Sequence, residues 1–585
     1  MEKYMQQKNR DRRALGMSVA GVLSAIILSC CSLHATAATK PNIIVIMADD
    51  MGFSDPGCYG GEVETPNIDR LAQEGVRFTR FKNSARCAPS RASLLTGRYQ
   101  HSVGVGRMTT DKNLPGYRGQ LSLDAPTLAE ILKPHGYATG IVGKWHLTFT
   151  GKSATQKQIF PMDRGFDFYH GTWWGAKDYF SPQFMMKNRK HLEEGNYPKG
   201  YYLTEDLSDS AIDFVESQIG ENRPFFLYLA HYAPHAPIQA PKDRIQKCFD
   251  RYLAGFEKLQ HERFARQQTL GVLPENTAIA AGMPSWDKLS DSKKKAWATM
   301  MATYAAMIEV MDDGIGRLIE VLKKNGQYDN TLILVLSDNG STPERKGSTT
   351  YAMLSNTPYR GFKAHTFEGG VSSPLIVSWP KELSEHAGSV RHGMCHIIDI
   401  LPTCLDAAGV DFPSSFRGGR PVVPDGGSLM DAAKGSGVMT RPLFWEHQGS
   451  RAVYHAGWKL IADGVNKPWE LYNLTEDPTE RKELTKQFPE RVDLMKKLWL
   501  DWAQRNNVLP LQTRGAQKGP LQSVWQATRS GVRQEDREKD GGRERAVGIR
   551  ADRRRTEEDR LSAAQDDSET DSEGGRHPSA GAKAE

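Results

Sequence analysis

The chain has 585 residues, 39% of them apolar, which is enough to bury a large core in two or more structural units. Basic and acidic residues nearly balance, 76 against 70, for a formal net charge of +6. That balance excludes a nucleic-acid protein driven by bulk charge.

Residues 1–37 read as an export signal. Lys8, Arg10, Arg12 and Arg13 precede a run of apolar and small residues from Ala14 to Ser29, and Ala35-Thr36-Ala37 offers a cleavage site before Ala38. The run is short for a membrane anchor, and no later segment is apolar enough to span a bilayer. Ile27-Leu28-Ser29-Cys30 weakly resembles a bacterial lipoprotein box, which leaves lipid attachment open, whereas Arg12-Arg13 is too poor a match for a twin-arginine signal. The expected location is periplasmic or extracellular. Of seven cysteines, Cys30 and Cys31 fall in this leader. Cys58, Cys87, Cys248, Cys395 and Cys404 remain, an odd number that leaves at least one thiol unpaired. Cys395 and Cys404 are nearest in sequence, but spacing fixes no pairing.

Asn42 to Met47 is a continuous apolar, β-branched run, the pattern of a strand buried on both faces of a parallel sheet. It ends in Asp49-Asp50, two adjacent carboxylates that suit a bound cation or an aspartate-rich turn. Thr65-Pro66 opens a helix, and Val76-Arg77-Phe78 is a short strand leading to Asn83-Ser84-Ala85-Arg86-Cys87-Ala88-Pro89-Ser90-Arg91. Ser90 is placed to cap a helix running through Ala92-Ser93-Leu94-Leu95. Cys87 then lies at or just before a helix N-terminus between two arginines, a setting that lowers a thiol pKa and attracts anions. A small core residue or a metal-bound cysteine is the plainer alternative.

Pro126 to Gly136 has a helical pattern and Tyr137 to Val142 that of a buried strand, followed by Gly143-Lys144-Trp145-His146, where Lys144 and His146 alternate on an extended segment. Trp173, Trp174 and Tyr179 offer a ring-stacking pocket wall for a sugar or an arene, or packing under a loop. Pro224 to Leu229 is a strand that leads to Ala233-Pro234-His235-Ala236-Pro237, with prolines on either side of His235. Residues 241 to about 300 are polar, lysine-rich and helical in pattern, and read as an excursion from the core. Tyr304 to Lys324 is an amphipathic helix. Thr331 to Leu336 is the clearest strand, and Ser337-Asp338-Asn339-Gly340 repeats the arrangement of oxygen ligands after a strand. Asp49, Asp50, Asp338 and Asn339 together are hard ligands that favour calcium or magnesium over zinc. Beyond Arg441, short strands alternate with turns and end in a helix from Arg491 to Arg505; after about Gly515 the sequence is charged, poor in apolar groups and expected to be disordered.

The string Cys87-Ala88-Pro89-Ser90-Arg91, with Leu94 and Thr96-Gly97-Arg98, resembles the signature of the sulfatase family; Gly143-Lys144-Trp145-His146 matches a second motif. The likeness runs from about Lys40 to Pro510. It implies an alkaline-phosphatase-like α/β fold, with a large, mostly parallel mixed sheet flanked by helices and a small C-terminal antiparallel sheet with one helix. The resulting boundaries are a signal peptide 1–37, a catalytic domain 38–440, a C-terminal subdomain 441–512 and a tail 513–585. It also implies that Cys87 is converted to formylglycine by a formylglycine-generating enzyme, leaving four cysteines free to pair, and that its hydrated aldehyde attacks sulfur. Calcium would be held by Asp49, Asp50, Asp338 and Asn339 and would contact the residue-87 nucleophile. Arg91, Lys144 and Lys363 would offset the oxyanion, His235 with Lys363 would protonate the leaving alcohol, and His146 would accept the proton that expels sulfate. Two other readings stand beside this one: a phosphonate or phosphate monoester hydrolase of the same superfamily, and a non-catalytic, calcium-dependent binder of sulfated glycans.

Overall fold

The computed structural model describes residues 40–150, 158–280, 282–343, 349–437 and 440–512. The export signal, its lipoprotein-like box and the charged tail all lie outside the described residues.

Ten strands form one mixed sheet: β1 (Asn42–Ala48), β2 (Val76–Lys82), β3 (Ala138–Gly143), β4 (Phe168–Thr172), β5 (Met185–Lys187), β6 (Lys190–His191), β7 (Phe225–Ala230), β8 (Thr331–Ser337), β9 (Leu375–Ser378) and β10 (Val390–His396). Their order is β10-β2-β9-β8-β1-β7-β3-β4-β5-β6. The five central strands β8, β1, β7, β3 and β4 are mutually parallel; β9 runs antiparallel to both β8 and β2. β1 is buried at every position and apolar from Ile43 to Ala48 because both of its faces are covered. Ile43, Val45 and Met47 enter one core and Ile44, Ile46 and Ala48 the other.

Helices α1 (Pro66–Glu74), α2 (Cys87–Thr96), α3 (Leu203–Gly220), α4 (Lys242–Leu253), α5 (Phe256–Thr269), α6 (Asp291–Lys324) and α7 (Ile400–Ala408) divide between the two faces. α1, α3, α4, α5 and α6 pack on the Ile44 face, and α2 and α7 on the Val45 face. A second sheet of β11 (Leu443–His447), β12 (Ser450–His455), β13 (Trp458–Asp463) and β14 (Glu470–Asn473) is an antiparallel meander. It packs Phe444, Val453, Leu460 and Leu471 against Val492, Met495, Trp499 and Trp502 of α8 (Pro489–Arg505).

Three local expectations are corrected. The cysteine-bearing helix starts at Cys87 itself, and Ser90 does not cap it; Ser90 Oγ instead accepts the Ser84 N–H at 3.0 Å, closing the loop before the helix. Pro89 sits in the first turn, where a backbone N–H has no helical partner to lose. Segment 241–300 is no excursion: Cys248, Tyr252, Phe256 and Leu259 belong to the main core, and Arg263 is fully buried. Its charged composition hides this, because each of α4 and α5 buries only one narrow stripe. β3 ends at Gly143 with a positive φ and His146 is left-handed, so Lys144 and His146 stand on a turn rather than on a regular strand. Cys58, Cys87, Cys248, Cys395 and Cys404 are all buried free thiols, so the pairing left open for four of them is not formed. None of the helices among the described residues is long and apolar enough to cross a membrane.

His231, just past β7, is fully buried, and neither ring nitrogen has a hydrogen-bond partner among the described residues. Burial pushes its pKa down to about 3. The unfolded chain then binds a proton that the folded one refuses, so this group destabilises the fold as pH drops below about 6.5. His231→Leu should therefore gain on the wild type by about 1.4 kcal/mol per pH unit below that point. Urea melts across the acidic range check it; a constant difference between the two proteins would contradict it.

Candidate active site

In a parallel sheet the carboxyl ends of the strands lie on one edge, and the loops leaving them converge. Asp49 and Asp50 follow β1, Asp338 and Asn339 follow its neighbour β8, Lys144 and His146 follow β3, and His235 lies five residues beyond β7. α2 brings Cys87 and Arg91, one helical turn apart on one face, to the same edge. Lys363 arrives from the loop after β8.

Arg91 is fully buried. One of its terminal nitrogens donates to Asp338 Oδ2 at 2.7 Å, and the other to the Lys144 carbonyl at 3.1 Å and the Tyr228 hydroxyl at 3.4 Å. Lys144 Nζ donates to Asp49 Oδ2 at 2.6 Å. Asp50 takes Asn339 Nδ2 at 2.6 Å and Lys363 Nζ at 2.7 Å on Oδ1, and its N–H donates to Asp338 Oδ1 at 3.3 Å. His235 Nε2 stands 3.7 Å from Asp50 Oδ2, while its Nδ1 lies 2.5 Å from the Ala236 carbonyl, which fixes the proton on Nδ1. The ring nitrogens of buried His146 have no hydrogen-bond partner among the described residues.

The electrostatics follow from crowding charges in a dry place. Burial opposes ionisation of Asp49, yet Lys144, His235 and Arg91 hold its carboxyl well below the usual range. Burial, then the charges of Asp49 and Asp50, push Asp338 up to about 7 against the pull of Arg91. Burial also opposes the charge on Lys363, but Asp50 and Cys87 raise its pKa above the ordinary lysine value. Burial, reinforced by Lys144 and Arg91, keeps His146 well below its usual value, and burial with Lys363 holds His235 down to about 4.

One ligand atom each from Asp49, Cys87 and Asp338 lies within 4.8 Å of the others, and the same holds for Asp49, Asp50 and His235. Asp49 Oδ1 and Asn339 Oδ1 are buried acceptors with no hydrogen-bond partner among the described residues. Two orphaned oxygens among three crowded carboxylates fit a hard divalent cation, which would satisfy the acceptors and relieve the repulsion.

All ten residues expected from the sequence thus meet at one edge of the sheet. The aromatic wall is only partly as expected. Trp173 and Trp174 stack with centroids 6.3 Å apart, and the Trp173 carbonyl accepts the His146 N–H at 3.0 Å. Tyr179 is core: its hydroxyl donates to the carbonyls of Tyr232 and His235, each at 2.8 Å, and so tethers the His235 loop. Tyr228 was invisible in the sequence, because a tyrosine in an apolar strand reads as packing.

Such an edge suits a hydrolase that binds and cleaves a small anionic ester. The Sulfatase family model matches residues 41–410, and the model for the C-terminal part of N-sulphoglucosamine sulphohydrolase matches residues 361–507. An uncharacterized sulfatase of Schizosaccharomyces pombe is 32% identical over 80% of this chain and 94% of its own length. The arylsulfatase of Klebsiella aerogenes is 32% identical over 71% of this chain and 95% of its own. The crystal structure of Ps i-CgsB in complex with k-i-k-neocarrahexaose superposes with a TM-score of 0.62 and 27% identity, over 85% of this chain and 99% of that one. The chain belongs to the sulfatase family and is a sulfuric ester hydrolase.

Proposed function

We propose that this protein is an exported sulfatase that releases inorganic sulfate from aryl or carbohydrate sulfate esters, using a formylglycine made from Cys87 and a bound calcium ion. The observation that carries this reading is the convergence of Cys87, four oxygen ligands, three cations and two histidines on one sheet edge.

The residues divide the work. Asp49, Asp50, Asp338 and Asn339 would hold the calcium ion, which supplies charge neutralisation and a template for the sulfate oxygens. Conversion of the Cys87 side chain by a formylglycine-generating enzyme would supply, in hydrated form, the hydroxyl that attacks sulfur. Arg91 is locked by Asp338 and the Lys144 carbonyl, so its charge is presented without a cost of ordering at the moment of reaction. Lys144 and Lys363 offset the remaining oxyanion charge. Lys363 stays protonated, with His235 beside the same Asp50 carboxylate, so the pair can donate a proton to the leaving oxygen. His146 is neutral with open ring nitrogens, and accepts a proton as sulfate departs.

The substrate class rests on the named relatives: one is an arylsulfatase and one was crystallised with an oligosaccharide. The stacked Trp173–Trp174 pair offers ring faces suited to either an arene or a sugar.

The mass of the Cys87–Arg91 tryptic peptide from the native host tests the nucleophile. An aldehyde supports the reading, and an intact thiol overturns it in favour of a binding protein. Stripping divalent cations should lower sulfate release on the order of 10²-fold, since a Lewis-acid cation supplies several kcal/mol of charge stabilisation. Calcium should restore the rate and raise the melting temperature of the stripped protein. Equal rates with and without chelator would remove calcium from the proposal.

A further inference from the structure

Asp50 carries two tasks in a difficult backbone. It is a non-glycine residue with φ of 70°, and its carboxylate gathers Asn339 and Lys363. Gly52 follows so close to the chain at Ser355 that a Cβ there would lie 2.3 Å from the Ser355 carbonyl oxygen. Met51 and Phe53 pack into the main core on either side of Gly52, while the Gly52 N–H and the Asp50 carbonyl take their hydrogen bonds from side chains outside the turn.

Those bonds come from a fully buried chain of three residues on three elements. The Tyr304 hydroxyl, from α6, lies 3.0 Å from the Asp50 carbonyl and 2.7 Å from Asp55 Oδ2, and accepts the Gly52 N–H at 3.2 Å. Asp55 Oδ2 also accepts the Gly52 N–H at 2.8 Å, and Oδ1 takes Arg263 of α5 at 2.8 Å. Arg263 is held in turn by a two-pronged pair to Glu62, at 2.6 and 2.7 Å, and by the Leu354 carbonyl at 3.2 Å. Tyr304, Asp55 and Arg263 are each no more than 1% exposed. None of them reaches the cluster of Cys87, Lys144 and His146 by any hydrogen bond among the described residues.

We infer that Tyr304, aimed by Asp55 and Arg263, is a positioning residue that sets the Asp49–Asp50 turn in the geometry that binds the cation. This inference rests on reading the carboxylate cluster as a calcium site. It gives segment 241–300 a role: α5 supplies the arginine that orients Asp55, and Asp55 orients the tyrosine. Tyr304→Phe deletes only the hydroxyl and leaves the packing of α6 in place.

Calorimetric titration of calcium into chelator-stripped full-length protein reads the effect without turnover. Tyr304→Phe should weaken calcium binding between about 10- and 100-fold, the usual cost of losing a partner that orients a metal ligand. Its melting temperature without calcium should stay close to that of the wild type. Tyr59→Phe, which removes another buried hydroxyl of the same core, bonded to the Phe78 and Leu375 carbonyls and not to Asp50, Asp55 or Arg263, serves as control and should keep its affinity. Asp55→Asn should weaken binding in the same direction as Tyr304→Phe. Unchanged affinity in Tyr304→Phe, or an equal loss in Tyr59→Phe, would overturn the inference while leaving the calcium site intact. A wild type that binds no calcium would overturn the site and the inference with it.

Discussion

Cys87→Ala should reduce sulfate release by at least about 10⁴-fold, the scale of loss when a covalent nucleophile is deleted. The same variant should keep its circular dichroism spectrum and its melting behaviour. Cys87 is the first residue of α2, where alanine is a good helix former and removes only a sulfur. The loop before it is held by other groups: Asn83 Oδ1 accepts the Ala85 N–H at 2.7 Å, the Ser84 N–H donates to Ser90, and the Trp445 indole donates to the Asn83 carbonyl at 2.8 Å. Calcium binding should survive as well, because Asp49, Asp50, Asp338 and Asn339 are untouched. Loss of activity together with loss of calcium binding would assign Cys87 to the metal site rather than to nucleophilic attack. Retained turnover would sink the mechanism.

Glu368→Ala should unfold the protein more readily by about 3–5 kcal/mol, the cost of leaving buried charges without their partner. Glu368 is 3% exposed and takes Lys82 on one carboxylate oxygen and Lys459, at 2.7 Å, on the other. Its own N–H donates to Glu480 at 2.9 Å, and Lys459 also pairs with Glu480 at 2.9 Å. Burial opposes the charge on Glu368, but Lys459 and Lys82 hold its carboxyl far below the ordinary range. The stabilisation is therefore complete above the unfolded pKa of about 4.3 and lost as pH falls further. Glu368→Gln should sit between the wild type and Glu368→Ala at neutral pH and approach the wild type in acid. Activity should fall with stability, because Lys82 ends β2 five residues before Cys87 while Lys459 belongs to β13. The pair of lysines ties the loop before Cys87 to the second sheet through one carboxylate. Thermal melts of the two variants decide it. Unchanged melting would mean that the ion cluster contributes nothing net, as some buried ion pairs do.

The parallel sheet was readable because β1, β7 and β8 carry continuous apolar runs, Ile43–Ala48, Phe225–Ala230 and Leu332–Leu336, which burial on both faces explains. The antiparallel β11–β14 meander was readable from short strands alternating with turn residues. The ten residues proposed for the site stood out through short motifs that resemble those of the sulfatase family, most of them just after a strand or in the first turns of a helix, and such motifs are local. Whatever depended on distant partners was not. Ser90 looked like a helix cap, since sequence shows a hydroxyl but not that the Ser84 N–H would reach it first. Tyr179 looked like a pocket wall, and its hydroxyl turned out to tether two backbone carbonyls. Arg263 lay in a stretch of charged residues that reads as solvated, and its burial is created by Asp55 and Glu62, about two hundred residues away in sequence. Glu368 and Lys459 were equally silent. A charge can be buried only where an opposite charge arrives from elsewhere in the chain, and the local pattern of residues carries no record of that arrival. The sequence by itself thus determined the central sheet and the family, and it supplied the chemical groups from which the site is proposed. The tertiary structure alone decided which buried ions brace those groups, because that depends on contacts between segments far apart in the chain.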